Sequence, residues 1–217
     1  DRFLRAEKRY LDLGIPYHRG ILLHGHPGTG KTSIAAAVAS AFGMNVYTVQ
    51  LNSVKDDNAL GNMLASVGTR SVLLLEDVDT CAATHDRAGD GTGDKGDGVT
   101  MGGLLQALDG FMAPHGLITI MTTNRVDVLD PALIRPGRAD LQLEINCVDT
   151  GQIQRLCAKF LGYVPENIPE IVPSDMIAPA AVVGVFKQFI YDIEGAGPAL
   201  VKVLEAQLQT RKENSVL

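Results

Sequence analysis

The feature that most constrains this chain of 217 residues is the octapeptide Gly-His-Pro-Gly-Thr-Gly-Lys-Thr at positions 25–32. It matches the pattern G-x-x-x-x-G-K-[ST], and it lies between an apolar run at 20–24 and an alanine-rich run at 31–42. A strand, this loop and then a helix form the context in which the pattern binds phosphate. The sequence therefore predicts a phosphate site at the carboxyl end of a buried strand.

The residue types of this loop suit phosphate chemistry. Gly28 and Gly30 let successive backbone N–H groups point at phosphate oxygens, and the amino end of the following helix adds to the positive field. Lys31 is expected to contact the β- and γ-phosphates, and the Thr32 hydroxyl to bind Mg²⁺. The expected nucleotide-binding residues of the loop are Gly25, His26, Pro27, Gly28, Thr29, Gly30, Lys31, Thr32 and Ser33.

Strand and helix patterns alternate in the first two thirds of the chain. Predicted strands lie at 20–24, 45–51, 71–75, 117–121 and 139–147, with helices at 31–42, 56–67 and 100–108. This alternation predicts a three-layer α/β fold with a parallel sheet. Further helices at 150–161, 180–191 and 198–211 follow without strands. We expect an α/β nucleotide-binding subdomain at 1–148 and a small all-α lid subdomain at 149–217.

Polar side chains follow two of the predicted strands. Glu76, Asp77 and Asp79 come directly after four apolar residues, and Asn124 follows the strand at 117–121. The carboxyl ends of parallel strands meet at one edge of a sheet, where this class of fold binds its ligand. An amide there can orient a water or contact the γ-phosphate. We therefore expect these side chains near the phosphate loop.

Composition narrows the possible partners. The net charge is −6, and the aromatic residues are six Phe and five Tyr with no Trp, which argues against broad binding of nucleic acid and against a base-stacking surface. Cys81, Cys147 and Cys157 are widely spaced, which favours buried thiols in an intracellular reducing compartment. No run approaches the roughly 18 apolar residues of a membrane span, so a membrane is expected as partner only through a segment outside this chain.

With the segment Leu129–Asp140 added, these motifs resemble the AAA family of ATPases over essentially the whole chain. The segments 14–20, 73–79, 103–110 and 121–125 resemble the branch typified by the mitochondrial complex III assembly chaperone. Members of that branch form rings and translocate the folded Rieske iron–sulfur protein across the inner membrane. The resemblance implies a P-loop AAA+ module with a helical lid, ATP and Mg²⁺ as cofactors, and a homo-oligomeric ring that hydrolyses ATP to move or remodel a protein client.

The resemblance also implies roles for matching positions. Lys31 and Thr32 would be the Walker A pair, and Glu76 would join Thr32 as the magnesium-side acid. Asp77 would polarise the attacking water, and Asn124 would be the first sensor. Most AAA modules have Asp before Glu at this point, so the water-polarising carboxylate here is shorter by one methylene.

Another register of the acidic pair would place Asp77 on the metal side and Val78 at the water position. The four apolar residues before Glu76 favour the first register.

Four further positions take roles from the resemblance. Arg135 and Arg138 resemble arginine fingers that reach the γ-phosphate held by a neighbouring subunit. A finger of this kind is worth roughly 10³ to 10⁵ in rate in related phosphoryl transfers. Ile15 and Tyr17 correspond to positions that line the family's adenine pocket, although an apolar lead-in to a strand fits core packing equally.

Two segments bear on the client. Residues 52–58 occupy the place of the pore loop of peptide-threading relatives but hold no aromatic side chain, which favours a folded client. Residues 86–103 hold seven glycines and four aspartates, which predicts a mobile loop. Its place after the strand that ends in Glu76 resembles that of the family's second pore loop.

Two other functions stay open at this point: a nucleic-acid-associated motor or clamp-loader-like ATPase, and a nucleotide-gated scaffold with little hydrolysis. The compartment is the mitochondrial inner membrane if the branch resemblance extends to the whole protein.

Overall fold

The computed structural model describes residues 2–80, 98–109 and 114–214. The chain divides into two compact units. The first comprises Asp1–Gly25 and Lys31–Glu144, and the second comprises His26–Gly30 and Ile145–Leu217. Most of the glycine-rich loop predicted at 86–103, and Cys81, lie outside the described residues.

The first unit is built on a five-stranded, all-parallel sheet. Its strands are β1 (His18–His24), β2 (Val46–Gln50), β3 (Val72–Glu76), β4 (Leu117–Thr123) and β5 (Leu141–Glu144). Their order across the sheet is β2-β3-β4-β1-β5. Every residue of the central strand β4 is buried, because helices cover both faces of such a sheet. The predicted α/β fold is confirmed.

Among the residues that the structure describes, the helices that accompany the sheet are α1 (Glu7–Asp12), α2 (Lys31–Phe42), α3 (Asp57–Ala65) and α4 (Met101–Leu108). Two of them begin at side-chain caps. Asp56 accepts a hydrogen bond from the Ala59 N–H at 2.8 Å, and Thr100 accepts one from the Gly103 N–H at 2.9 Å. Short 3₁₀ turns lie at Leu51–Ser53 and Val126–Val128. Ala35 of α2 is fully buried, so this helix packs closely where its side chains are small.

The second unit contains α5 (Thr150–Leu161), α6 (Pro179–Gln188) and α7 (Ile193–Asn214). A capping box starts α5, since Asp149 and Gln152 bond each other's backbone N–H groups, and Gly162 ends it in a left-handed conformation at φ +80°. The helices enclose an apolar core that includes Ile153, Val182, Leu200 and Leu204. No helix within the described ranges has both the length and the hydropathy to cross a bilayer.

The largest difference at a predicted helix boundary is at the start of the last helix. The helix expected to start at Pro198 starts at Ile193, so the proline lies inside α7. The extra turn packs closely: a side chain at Gly195 would meet the Phe189 ring at 2.8 Å, and one at Gly197 would meet the Tyr163 hydroxyl at 2.6 Å. Packing contacts therefore decide where this helix starts, and they override the tendency of Pro198 to stand at a helix start.

The expectation of buried thiols is met at two of the three cysteines. Cys147 and Cys157 are free and buried, and burial raises the pKa of both thiols.

Candidate functional site

Three neighbouring strands end at one edge of the sheet, and predicted site residues lie at or directly after the end of each. Gly25 follows β1, Glu76 ends β3, and Asn124 follows β4. Parallel pairing sets His24 beside Thr123 and Leu75 beside Met121, so these strand ends are in register. The carboxyl edge thus holds most of the predicted polar side chains.

Lys31, the first residue of α2, joins the ends of β1 and β4. Its Nζ donates to the Gly25 carbonyl at 2.8 Å and to Asn124 Oδ1 at 2.7 Å. The residue is 7% exposed, and burial lowers its pKa, although the negative charges of Asp77 and Asp79 raise it in part. The structure therefore places the lysine of the phosphate loop directly against the predicted sensor amide.

Thr32 and Glu76 form the second contact of the site. The Thr32 hydroxyl donates to Glu76 Oε1 at 2.7 Å, and Gln50 Nε2 donates to Glu76 Oε2 at 3.5 Å. A hydroxyl and a carboxylate oxygen at this spacing fit Mg²⁺, which takes oxygen ligands and shares its coordination with phosphate and water. Groups of three or more His, Cys, Asp or Glu suited to a metal are absent from the described residues. Thr32 and Glu76 are thus the residues that could hold the cation.

Asp77 follows β3 in an unusual backbone conformation. Its φ is +51°, in the left-handed region, where Asp is tolerated better than most residues. Its side chain is exposed, whereas Val78 is 0% exposed and belongs to the hydrophobic core. The burial of Val78 thus favours the register with Glu76 on the metal side, in which the exposed Asp77 stands at the water position.

The phosphate loop turns at glycines with positive φ, as its pattern requires. Gly25, Gly28 and Gly30 have φ values of +134°, +77° and +95°. Within the second unit, the Ala180 N–H donates to the Gly28 carbonyl at 3.1 Å, and the Thr29 hydroxyl donates to the His26 carbonyl at 2.8 Å. The loop residues His26, Pro27, Thr32 and Ser33 are exposed.

The two predicted arginine fingers differ in their surroundings. Arg138 donates from Nε and Nη2 to both carboxylate oxygens of Asp109, and from Nη1 to the Ala132 carbonyl at 2.6 Å. The guanidinium hydrogen bond lowers the pKa of Asp109. Arg135 is exposed, and its side chain has no hydrogen bond or ion pair with the described part of the chain. Arg135 is therefore the arginine whose guanidinium is available to another molecule.

The segment that carries these arginines lies against the amino half of β1. A side chain at Gly20 would overlap the Arg138 carbonyl. Asp140 fixes the contact, because its Oδ2 accepts from the Gly20 N–H at 2.9 Å and its Oδ1 accepts from the Gly137 N–H at 2.8 Å. Four residues of β1 lie between Gly20 and Gly25, which are about 16 Å apart along the extended chain.

The prediction that Ile15 and Tyr17 line the adenine pocket is wrong. Both precede β1, whose seven residues separate them from the phosphate loop by about 25 Å of extended chain. Tyr17 is 4% exposed, its ring stacks on Phe3 with centroids 4.6 Å apart, and its hydroxyl donates to the Phe3 carbonyl at 3.1 Å. Tyr17 is thus a core residue, which is the alternative that the sequence left open.

Ile15 is exposed and lines a cavity of about 480 Å³ with Leu13 and Pro16, among others. This cavity lies at the amino end of β1, away from the phosphate loop.

Sequence reasoning assigned no role to Thr122 and Thr123, which close β4. Both are buried, with exposures of 3% and 0%. Thr122 bonds the backbone around Asp77, and the Thr123 hydroxyl donates to Asp79 Oδ1 at 2.8 Å. Two consecutive buried hydroxyls at the end of an apolar strand were the signal that could have identified them, because buried polar groups need partners.

Comparisons with known proteins agree with this geometry. Residues 21–147 match the family described as "ATPase family associated with various cellular activities (AAA)". The human protein named mitochondrial chaperone BCS1 is 39% identical over 207 residues, covering 89% of this chain and 48% of the relative. A Schizosaccharomyces pombe protein named probable mitochondrial chaperone bcs1 is 36% identical over 198 residues, covering 91% of this chain and 43% of the relative.

An AAA-ATPase of Arabidopsis thaliana is 36% identical over 196 residues, with 84% of this chain and 41% of the relative covered. The chain thus spans less than half the length of these curated relatives.

Proposed function

This chain belongs to the AAA family of ATPases, and we propose that it binds ATP with Mg²⁺ at the carboxyl edge of its sheet and hydrolyses it. The observation that carries the proposal is the contact between Lys31 Nζ and Asn124 Oδ1 at 2.7 Å, beside the contact between Thr32 and Glu76. These two contacts bring a cation, an amide and a hydroxyl–carboxylate pair to one loop that is shaped for phosphate. All three groups suit a transferred phosphoryl group and its metal.

The chemistry assigns a step to each side chain. Lys31 holds the β- and γ-phosphates, and Thr32 with Glu76 would hold Mg²⁺, which neutralises charge on the phosphates when bound. Asp77 orients a water toward the γ-phosphorus and accepts its proton. Asn124 donates its amide N–H to a γ-phosphate oxygen while Oδ1 stays with Lys31. Attack by the water breaks the bond to the β,γ-bridging oxygen and releases ADP and inorganic phosphate.

Replacing Asp77 by Asn tests this proposal. Asn keeps the size of the side chain and tolerates positive φ, but its amide does not accept a proton. We expect Asp77→Asn to bind ATP with unchanged affinity and to lose turnover by about 10² to 10⁴, the usual contribution of a general base. Steady-state phosphate release and equilibrium binding of a fluorescent ATP analogue measure the two quantities.

The matched control is Asp12→Asn, the same change at an exposed carboxylate that ends α1. It should behave as the wild type does. Turnover in Asp77→Asn equal to that of the wild type would show that another group activates the water.

We further propose that the protein acts as a homo-oligomeric ring on a protein client, with residues 149–217 as a lid over the nucleotide. The names of the relatives, which describe mitochondrial chaperones, support a chaperone role and an association with mitochondria. The exposed guanidinium of Arg135 supports a contribution in trans to a neighbour's site. The lack of an aromatic residue at 52–58, where the chain forms the 3₁₀ turn Leu51–Ser53 and the start of α3, supports a folded client over an extended one.

A further inference from the structure

We propose that Thr122 is a positioning residue that sets the direction of the Asp77 carboxylate through the backbone. The inference rests on the proposed ATPase function and concerns how its water-activating acid is held. Asp77 is one methylene shorter than the Glu that most AAA modules carry at the water position. Because the side chain is short, the position of the Asp77 carboxylate depends strongly on the backbone conformation at residue 77.

Thr122 holds the backbone on both sides of this acid. The Asp77 N–H donates to Thr122 Oγ1 at 3.3 Å, and the Val78 N–H donates to the Thr122 carbonyl at 3.0 Å. Between these two bonds the chain takes its left-handed turn at Asp77, with φ at +51°. The β3 to β4 ladder ends at Leu75 and Met121. The Thr122 contacts thus begin where the regular strand pairing stops.

A left-handed residue at the end of a strand needs local support, because positive φ is uncommon outside glycine. Regular extended backbone at Asp77 would continue the alternation of side chains that β3 has up to Glu76. The turn breaks that alternation: Asp77 is exposed while Val78 enters the hydrophobic core. The side-chain oxygen of Thr122 accepts from the N–H of the turning residue itself, so its hydroxyl acts where the direction of the chain changes.

The same strand end holds the neighbouring elements of the site. The Thr123 hydroxyl donates to Asp79 Oδ1 at 2.8 Å and accepts from the Arg125 N–H at 2.9 Å. Asn124 lies between Thr123 and Arg125 in the sequence. Thr122 and Thr123 therefore tie the acids after β3 to the segment that carries the sensor amide.

The test is Thr122→Val, which keeps the branched shape and removes the hydroxyl. A misplacement of about 1 Å costs up to roughly 10² in rate, so we expect kcat to fall by about ten-fold or more while KM for ATP stays within two-fold. Thr122→Ser keeps an oxygen at the same place and should restore most of kcat. Thr119→Val is the matched control, because Thr119 is also buried in β4, at 8% exposure, and should keep wild-type kcat.

A double-variant cycle separates positioning from general loosening of the fold. If Thr122 acts through Asp77, Thr122→Val will not lower the residual turnover of Asp77→Asn further. A role in stability alone would lower both backgrounds equally and shift the thermal midpoint. Should Thr122→Val fail to fold, Thr122→Ala removes the same oxygen from a smaller side chain and serves in the same comparison.

The outcomes distinguish this inference from the proposed function. An active wild type with unchanged kcat in Thr122→Val, or a kcat loss that Thr122→Ser does not restore, overturns the role of Thr122 and leaves the ATPase proposal standing. A wild type that binds ATP and has no turnover overturns both.

Discussion

At the scale of single residues, the site combines buried charge with exposed chemistry. Lys31 is a cation at 7% exposure, and burial lowers its pKa while Asp77 and Asp79 partly oppose the shift. Burying a charge destabilises a fold unless hydrogen bonds and opposite charge compensate. The Gly25 carbonyl and Asn124 Oδ1 supply two of those bonds here, and the phosphates of a nucleotide would supply the charge.

The lowered pKa of Lys31 predicts a pH dependence of stability. Between the folded-state pKa and the ordinary value near 10.4, the unfolded chain binds more protons at this lysine than the folded chain does. The free energy of unfolding attributable to Lys31 should therefore rise as pH rises through that window.

Urea unfolding of the wild type and of Lys31→Met, at several pH values in the alkaline range, isolates this contribution. We expect the difference between the two proteins to move in favour of the wild type as pH increases. A difference that is constant with pH would contradict the lowered pKa.

At the scale of elements, the segment that carries Arg135 and Arg138 packs directly against strand β1 of the sheet. Gly20 of β1 lets the Arg138 carbonyl approach the strand, and Asp140 bonds both sides of that contact. The Arg138 guanidinium pairs with Asp109, the C-cap residue that follows α4. Three parts of the chain far apart in sequence meet here, at 20, 109 and 138.

Gly20→Ala should therefore be destabilising. The new methyl group would overlap the Arg138 carbonyl, which is backbone and has little freedom to move. Overpacking of this kind costs about 1–3 kcal/mol, measurable as a lower urea midpoint.

Gly61→Ala is the matched control for Gly20→Ala. A side chain at this position in α3 meets nothing within 4 Å, and Ala favours a helix by about 1 kcal/mol over Gly. This variant should be as stable as the wild type or more so. Equal urea midpoints for Gly20→Ala and the wild type would mean that the segment around Arg138 moves away from β1 at little cost in stability.

Elements with a local signal at both ends could be predicted from the sequence. The helices α2 and α5 have the predicted bounds, and α5 shows why, with Asp149 at one end and Gly162 at the other. The start of α7 was missed because side-chain contacts at Gly195 and Gly197, with Phe189 and with the distant Tyr163, decide it. The bonds of Thr122 to Asp77 and Val78 were missed for a related reason, since no local pattern pairs the ends of two strands.

Tyr17 shows a different cause of error. Chain order alone puts a residue that precedes β1 at the amino edge of the sheet, opposite to a loop that follows β1. The resemblance assigned it to the adenine pocket against that simple geometry. Its aromatic neighbours Phe3 and Tyr10 became apparent only in the folded chain.

At the scale of the whole molecule, Arg135 and the phosphate loop of the same chain belong to different ends of β1. The segment with Arg135 packs at Gly20, and the loop begins at Gly25. An arginine that completes the site in trans predicts that two inactive variants complement each other. Asp77→Asn has an intact Arg135 but no base, and Arg135→Ala has an intact base but no finger.

We expect each of these variants alone to be nearly inactive and assemblies from their co-expression to recover part of the wild-type rate. Phosphate release by purified mixed assemblies measures the recovery, and Arg125→Ala, a change at another exposed arginine, serves as the active control. Mixed assemblies that stay inactive would place the action of Arg135 within its own subunit.

The left-handed turn at Asp77 also has a consequence for how this pair of acids could evolve. Positive φ admits Gly, Asn and Asp most readily, so Glu is less favourable there than Asp. A mutation to Glu at 77 would thus meet a backbone unsuited to it, while a mutation to Asp at 76 would withdraw the carboxylate from Thr32. We therefore expect each single step toward the more common Asp-Glu order to disturb the site.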